Sequence, residues 1–326
     1  MMRAELVAAI DAGNSKIDAL LVDTAGNLLG RARGGGFRPQ AEGLTVAMAA
    51  LDQVMVDLLA GVEGPVRLVS AYLAGADSLE EQEALDCQIR ARRWSNDVQV
   101  GNDTLALLRV GAPDGWGVAV VCGAGINAVG VAPDGRVERF PALGYLTGDW
   151  GGGGALGRES LWAAIRGEDG RGAPTTLSRV VAEFFGMERA TDVGVAMGSG
   201  VISETRLLDL TPLLLQIAAS GDEVAVAIVA RMASEVVAMA AALIDRLGLV
   251  AAATPVVLGG GVLTAGHEPL IAGVRAGLAE RVPRARCIVA DVAPVVGAAL
   301  LGLDSLGAPG YAVEAIHVAA IQSRTG

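Results

Sequence analysis

The chain has 326 residues, a length that favours two domains over one. Its 25 basic and 36 acidic residues give a net charge of −11, which argues against a broad surface for nucleic-acid phosphates. Hydrophobic residues make up 52% and charged residues 19%, a composition that excludes a disordered chain.

The N-terminal part of the chain predicts a strand, a loop, a strand, a turn and a further strand. Apolar runs at residues 6–10 and 17–22 flank the sequence DAGNSK at residues 11–16. The pattern returns later in the chain, where CGAGIN at residues 122–127 lies between two more apolar runs. Such a repeat indicates two similar lobes, each of which opens with a hairpin whose first turn is rich in glycine and small polar residues.

Helices alternate with strands through the rest of the chain, which indicates an α/β protein. Further strands are predicted over residues 66–73, 98–100, 256–258 and 287–290. Helices are predicted over residues 44–59, 78–92, from 103 onwards, and over 155–165, 177–185, 222–247 and 269–280. We place an N-terminal lobe at residues 1–115 and a C-terminal lobe at 116–303. The tail, residues 304–326, contains a helix-like stretch that we expect to pack back on the first lobe and complete it.

The DAGNSK loop puts Asp11 at the end of a buried strand and follows it with Gly13, Asn14 and Ser15. Because glycine lacks a side chain, the amides of such a loop can approach an anion closely. An ordinary hairpin turn needs the same residue types, so both interpretations stay open for the loop alone. Lys16 favours phosphate binding, since the only lysine of the chain supplies a compact point charge there.

Two later glycine-rich loops are candidate nucleotide contacts. One repeats the design of the first loop, and two opposed loops of this kind suit the β- and γ-phosphates of a nucleotide. The other ends a strand and suits a flat adenosine against the main chain, although a flexible turn has the same sequence. The residues are Gly123, Ala124, Gly125, Gly259, Gly260 and Gly261.

The glycines at residues 152–157 match the GxGxxG dinucleotide fingerprint. With 45 glycines in the chain such a match is expected by chance, and no buried strand precedes it. We therefore reject a Rossmann site here and retain Asp149, just before the glycines, as a polar group on a loop.

Asp103 is the best catalytic candidate, because it lies where a short strand gives way to a helix. An aspartate at such a junction also serves as a helix N-cap, so for this residue alone both roles stay open. The phosphate loops favour catalysis, since phosphoryl transfer needs a carboxylate that orients the acceptor.

These motifs in this order resemble the superfamily of sugar kinases, actin and chaperone ATPases. The residues that carry the resemblance are DAGNSK, GND at 101–103, CGAGIN, GDWGGGGALG at 148–157 and VVLGGGVL at 256–263. Within the superfamily the match is to the BadF/BadG/BcrA/BcrD branch, which includes N-acetylglucosamine kinases and actinobacterial glucosamine kinases. The resemblance implies two ribonuclease H-like lobes with ATP and Mg²⁺ in the cleft between them.

The resemblance also implies residue roles. Asp11 matches the aspartate that organises the metal, and the loops at 13–15, 123–125 and 259–261 match the two phosphate loops and the adenosine loop. Asp103 matches the catalytic aspartate that receives the proton of the sugar 6-hydroxyl. Asn102 and Asp149 are expected to bind the sugar.

The resemblance has two departures that bear on the sugar. Leu143 replaces a tryptophan that N-acetylhexosamine kinases of this branch place against the acetamido group, and Trp150 replaces an acidic residue. An ammonium could instead lie near Asp77, Asp103 or Asp149. We therefore predict that glucosamine is converted to glucosamine 6-phosphate in preference to the phosphorylation of N-acetylglucosamine.

Other assignments are less favoured. Activator ATPases of the branch hold an iron–sulfur cluster with closely placed cysteines, whereas Cys87, Cys122 and Cys287 are far apart. A non-enzymatic actin-like protein would not need Asp103. The N-terminal apolar run is too short for a signal peptide, so we expect a cytoplasmic protein with a small sugar as its partner. We expect no nucleic-acid or membrane partner, and we consider a homodimer.

Overall fold

The computed structural model describes residues 5–62 and 64–322 and contains two five-stranded mixed sheets. The first sheet consists of β1 (Leu6–Ala12), β2 (Ile17–Asp23), β3 (Leu28–Gly34), β4 (Val66–Leu73) and β5 (Asp97–Asn102). The second consists of β6 (Gly117–Cys122), β7 (Ile126–Val131), β8 (Val137–Arg139), β9 (Pro255–Gly259) and β10 (Arg286–Val289).

The two sheets have the same topology. The strand orders are β3-β2-β1-β4-β5 and β10-β9-β6-β7-β8, so β6 to β10 correspond one by one to β1 to β5. In each sheet the first three strands are antiparallel and the last two run parallel to the first. This repeat confirms the prediction of an α/β protein with two similar lobes.

Helices connect and cover the sheets. They are α1 (Pro39–Glu42), α2 (Leu44–Leu59), α3 (Leu79–Ala91), α4 (Asp103–Gly111), α5 (Gly152–Asp169), α6 (Leu177–Phe185), α7 (Ala190–Gly198), α8 (Thr211–Ala219), α9 (Glu223–Arg246), α10 (Glu268–Arg281), α11 (Pro294–Ser305) and α12 (Gly310–Gln322). Short 3₁₀ helices lie at Gly144–Thr147 and Glu204–Leu210.

Local chemistry explains several helix starts. Ser78 and Glu81 form a capping box at the start of α3, and the Asp222 carboxylate accepts a hydrogen bond from the Ala225 amide at the start of α9. The observed start of α5 at Gly152 is three residues earlier than the sequence predicts. Glycine is a poor helix former, but packing against a neighbouring loop overrides that preference at this position.

The α9 helix is long and apolar enough to cross a membrane by length and composition alone, and 56% of its most apolar window is buried. It packs against α8, α10 and β6, and it contributes Met232, Val236 and Ala240 to the core of the second lobe. This is the packing typical of a core helix.

Helix α11 packs against β1, β4 and α4, so residues beyond the second sheet return to the first. The Ser70 hydroxyl of β4 donates a 2.7 Å hydrogen bond to the Ala298 carbonyl, and Arg109 of α4 pairs with Asp304 at 2.7 Å. The predicted lobe boundaries at residues 115 and 303 stay predictions. Residues 1–4 and 323–326 of the predicted lobe and tail lie outside the described residues.

The close contact between α11 and α4 depends on Gly297, because a Cβ atom there would lie 1.8 Å from the Ala106 carbonyl oxygen. We expect Gly297→Ala to lower the free energy of unfolding by about 1–3 kcal/mol, the usual cost of overpacking. Gly198→Ala is the matched control, since within the described part of the chain no heavy atom lies within 4 Å of a Cβ at that helical glycine. Urea unfolding of both variants tests this, and equal stabilities would contradict it.

Candidate active site

Asp11 lies at the carboxyl end of β1, next to Asp18 in the register with β2. Its side chain is buried, with 8% of the residue exposed. Burial raises the pKa of Asp11 well above its usual range, repulsion from Asp103 and Asp18 adds to the rise, and Lys16 opposes it. The end of this strand therefore concentrates negative charge that a cation would relieve.

The first loop is a tight turn between β1 and β2. The Gly13 amide donates a 2.9 Å hydrogen bond to the Lys16 carbonyl, and the Phe37 amide donates one of 2.9 Å to the Gly13 carbonyl. Asn14 and Ser15 are exposed at its tip. The loop thus has both the hairpin geometry and the accessible residues that its sequence allowed.

Asp18 is a residue that the sequence interpretation missed. Its buried carboxylate pairs with Lys16 at 2.5 Å and with Arg33 of β3 at 2.5 Å. The signal that could have revealed it is an aspartate inside an otherwise apolar strand, where a carboxylate needs a cationic partner. Lys16 is half-exposed and turned toward Asp18, so its predicted contact with phosphate stays a prediction.

Asn102, and not Asp103, is the side-chain cap of α4. The Asn102 carboxamide oxygen accepts a 3.1 Å hydrogen bond from the Thr104 amide and another from the Thr104 hydroxyl. Asp103 is the first helical residue, so its carboxylate is not required as the cap. Burial raises the pKa of Asp103 to about 7, with repulsion from Asp77 adding and the amides of Thr104 and Asp103 opposing.

The second loop, at residues 123–125, lies against the start of α5. The amides of Gly153 and Gly154 donate hydrogen bonds of 2.8 and 2.9 Å to the carbonyls of Gly123 and Ala124. A Cβ at Gly152 would lie 2.4 Å from the Gly125 carbonyl carbon, which explains the glycine there. The glycines at 152–157 therefore open a helix that supports this loop.

The third loop, at residues 259–261, follows β9 and packs on the end of β6. Gly260 has a φ of +85°, and a Cβ there would lie 2.4 Å from the Cys122 carbonyl oxygen. No heavy atom of the described residues lies within 4 Å of a Cβ at Gly261, nor at Gly123 or Gly125. The second and third loops thus meet beside Cys122 and keep one side of their backbone open.

Asp77 joins the two lobes. Its Oδ1 atom accepts hydrogen bonds from Asn102 of the first sheet at 2.8 Å and from Asn127 of the second at 3.0 Å. Gln40 makes a longer contact of 3.5 Å with Oδ2. Burial raises the pKa of Asp77, while the bonds from Asn127, Gln40 and Asn102 oppose that rise.

Asp149 lies on the loop between β8 and α5, and its hydrogen bonds stay within that loop. Its carboxylate accepts a 2.5 Å bond from the Thr147 hydroxyl, and its amide donates one of 3.0 Å to the Gly144 carbonyl. Asp149 thus lacks the direct link to Asp77 that Asn102 and Asn127 have. Its predicted contact with sugar stays a prediction.

The residues at the strand ends fit a magnesium nucleotide. The described residues contain no group of three or more side chains that could hold a metal ion by themselves. Mg²⁺ is commonly held by one or two carboxylates together with phosphate oxygens and water, which suits the Asp11 carboxylate beside the loop at residues 13–15 with its exposed tip.

The raised pKa of Asp103 makes a prediction about stability. The Asp103 carboxyl has a pKa of about 7 in the folded chain, against 3.8 in the unfolded chain, so the folded chain holds the carboxyl proton more tightly. The stability that this proton contributes is therefore lost as the pH rises through about 7. Asp103→Asn should therefore raise Tm relative to the wild type, by ~2 °C or more at about pH 8 and less at about pH 5.

Asp222→Asn is the matched control for this measurement. Burial raises the pKa of Asp222, but the hydrogen bonds from Thr176, Ala225 and Thr175 outweigh burial and lower it. The stability that the Asp222 carboxylate contributes is fully present above the pKa that this residue has in the unfolded chain. The loss of Tm in Asp222→Asn should therefore be equal at both pH values. An Asp103→Asn gain that does not change with pH would contradict the prediction.

Two lobes of one topology, with glycine loops and carboxylates at their strand ends, define an actin-like ATPase fold of the sugar-kinase type. The chain belongs to the BadF/BadG/BcrA/BcrD ATPase family, whose model matches residues 9–302. This match confirms the family that the sequence motifs indicate.

The chain is similar to three proteins that are named as amino sugar kinases. The N-acetyl-D-glucosamine kinase of Dictyostelium discoideum is 24% identical over 326 aligned residues, covering 93% of this chain and 99% of that protein. The N-acetylmuramic acid/N-acetylglucosamine kinase of Clostridium acetobutylicum is 25% identical over 190 residues, 58% of this chain and 62% of that protein. A crystal structure of a proposed N-acetylglucosamine kinase from Chromobacterium violaceum shares the fold, with a TM-score of 0.71, 22% identity, and coverage of 91% of this chain and 99% of that one.

Proposed function

We propose that this protein is a kinase that transfers the γ-phosphoryl group of ATP to the 6-hydroxyl of an amino sugar. The observation that carries the proposal is the hydrogen-bonded link through Asp77, which ties the helix that bears Asp103 to the strand after the 123–125 loop. An acceptor-orienting carboxylate and a phosphate loop on opposite lobes are the parts that phosphoryl transfer needs. Membership of a family that contains amino sugar kinases supports it.

The nucleotide would lie against the glycine loops. The open backbone at Gly123, Gly125 and Gly261 permits close approach of phosphates and adenosine to main-chain amides. Asp11 would hold Mg²⁺, which when bound neutralises charge that develops on the phosphates during transfer.

Asp103 would accept the proton of the sugar hydroxyl. Its partial burial and its position as the first residue of α4, next to the capping Asn102, hold the carboxylate in place, and a pKa of about 7 suits a base at neutral pH. Because the transition state of phosphoryl transfer is loose, orientation of the hydroxyl matters more than early deprotonation.

N-acetylglucosamine is the acceptor that we propose first, ahead of glucosamine. Both similar kinases carry that substrate in their names. Although Leu143 replaces the tryptophan of N-acetylhexosamine kinases, the loop before Asp149 also exposes Tyr145 and Leu146, at 90% and 89%, and such apolar side chains suit an acetyl methyl group. Moreover, Oδ1 of Asp77 already accepts two hydrogen bonds, which leaves less of that carboxylate for an ammonium.

Glucosamine remains the second candidate because a charged amine gains from carboxylate partners, and Asp103 and Asp149 are candidates for that role. The iron–sulfur alternative stays less favoured because Cys87, Cys122 and Cys287 are far apart in the sequence. A cytoplasmic location, a homodimer and the absence of nucleic-acid and membrane partners stay predictions.

A coupled ADP-release assay over N-acetylglucosamine, glucosamine, N-acetylmuramic acid and glucose tests the proposal. We expect phosphorylation of an amino sugar with a kcat/KM for N-acetylglucosamine at least ~10-fold above that for glucosamine, the discrimination expected from ~1.4 kcal/mol of differential contact. A higher kcat/KM for glucosamine would make glucosamine the preferred acceptor. ADP release with none of these sugars would contradict the kinase.

Asp103→Asn should lower kcat by at least ~100-fold, the lower end usual for loss of a general base. Binding of ATP, measured by calorimetry, should change little, because the substitution keeps the size of the side chain and the cap supplied by Asn102. Near-normal turnover would show that Asp103 is not the base.

A further inference from the structure

The Asp77 carboxylate lies on the turn between β4 and α3, at the point where the two lobes meet. The bond from Asn102 links it to the residue that caps the helix of Asp103. The bond from Asn127 links it to the second residue of β7, directly after the 123–125 loop. One carboxylate oxygen is therefore shared by the proposed catalytic helix of one lobe and the proposed phosphate loop of the other.

The orientation of both asparagine side chains is determined by their surroundings. The Asn127 carboxamide oxygen accepts a 2.7 Å bond from the Ala128 amide, and that of Asn102 accepts from the Thr104 amide. Each NH₂ group must therefore face away from these amides, and each faces Asp77. An aspartate is the matching acceptor, because an ionised carboxylate accepts and never donates.

A second contact crosses the same boundary. Arg139, at the end of β8, donates hydrogen bonds of 3.2 and 3.4 Å to the carbonyls of Ala76 and Asp77. The turn that carries Asp77 is thus held from the second lobe both by its side chain and by its main chain. Such charge-assisted hydrogen bonds are stronger than neutral ones and have a specific geometry.

We propose that Asp77 is a positioning residue, which holds the start of α4 and the 123–125 loop in one fixed relation, and is not a sugar ligand. The inference rests on the proposed kinase function and assigns a different role to a residue that the sequence placed at the sugar. Loss of the shared hydrogen bonds should separate the acceptor-orienting carboxylate from the phosphate loop. Such misplacement lowers kcat more than it changes KM for the sugar.

The test is an exchange of the two side chains. Asn127→Asp puts two carboxylates face to face and should lower kcat by ~10- to 100-fold, in the range of coupling seen for contacting residues. Asp77→Asn keeps an acceptor oxygen and should cost less than ~5-fold. The double variant D77N/N127D restores a donor–acceptor pair with the roles reversed, so it should recover at least ~10-fold of the loss in Asn127→Asp.

Asn27→Asp is the matched control. Asn27 donates a 2.8 Å hydrogen bond to Asp23 in the β2–β3 turn, so this variant creates the same pair of facing carboxylates away from the cleft. Its kcat and its KM for N-acetylglucosamine and ATP should equal those of the wild type. A rise of ~10-fold or more in sugar KM for Asp77→Asn at unchanged kcat would overturn the proposal and make Asp77 a sugar ligand.

Hydrogen–deuterium exchange without substrates gives a readout that does not need turnover. Asn127→Asp should speed exchange in peptides covering residues 102–106 and 122–128 together, and the double variant should restore slow exchange in both. If the double variant D77N/N127D restores neither kcat nor slow hydrogen–deuterium exchange, the positioning role is refuted. If Asn127→Asp does not fold, the proposal requires that the double variant D77N/N127D folds, and an unfolded double variant would also refute it. A wild-type chain that phosphorylates no amino sugar would refute the proposed function, while the exchange data would still decide whether Asp77 joins the lobes.

Discussion

The burial of carboxylates close to one another is the constraint on which the rest of this site depends. Asp11 and Asp103 each have a raised pKa, first because of burial and then because a neighbouring carboxylate lies close. A folded chain tolerates this only when other interactions are strong enough to hold the strand ends together. Such an arrangement is typical of sites where a bound cation supplies the missing positive charge.

The protein distributes its few compensating groups unevenly. Lys16 and Arg33 both pair with Asp18, which neutralises the carboxylate beside Asp11 without neutralising Asp11 itself. Asp77 receives amides in place of cations. Among the described residues, these salt bridges leave Asp11 and Asp103 without a cationic partner, and these are the two residues to which the family resemblance assigns metal and proton chemistry.

Glycine makes the other half of the site through close backbone approach. Gly152 and Gly260 lie where any Cβ would collide with the main chain of a neighbouring loop, whereas Gly123 and Gly261 face open space. The first pair permits the loops to pack together, and the second pair leaves their backbone accessible. This division explains how glycines serve both the close packing of these loops and the exposure of their backbone.

Short-range information in the sequence was enough for the α/β class, the repeated hairpins, the glycine loops and the family, because each depends on residues that are near one another in the chain. The limits of α2, β4 and α6 follow directly from their apolar patterns. The structure decided between the adjacent residues Asn102 and Asp103 as the cap of α4, and it showed that the buried Asp18 pairs with Arg33 of a neighbouring strand. It alone paired Asp77 with Asn127, 50 residues away. Which side chains meet across a sheet or between lobes depends on how the whole lobes pack. No local pattern in the sequence specifies such a contact.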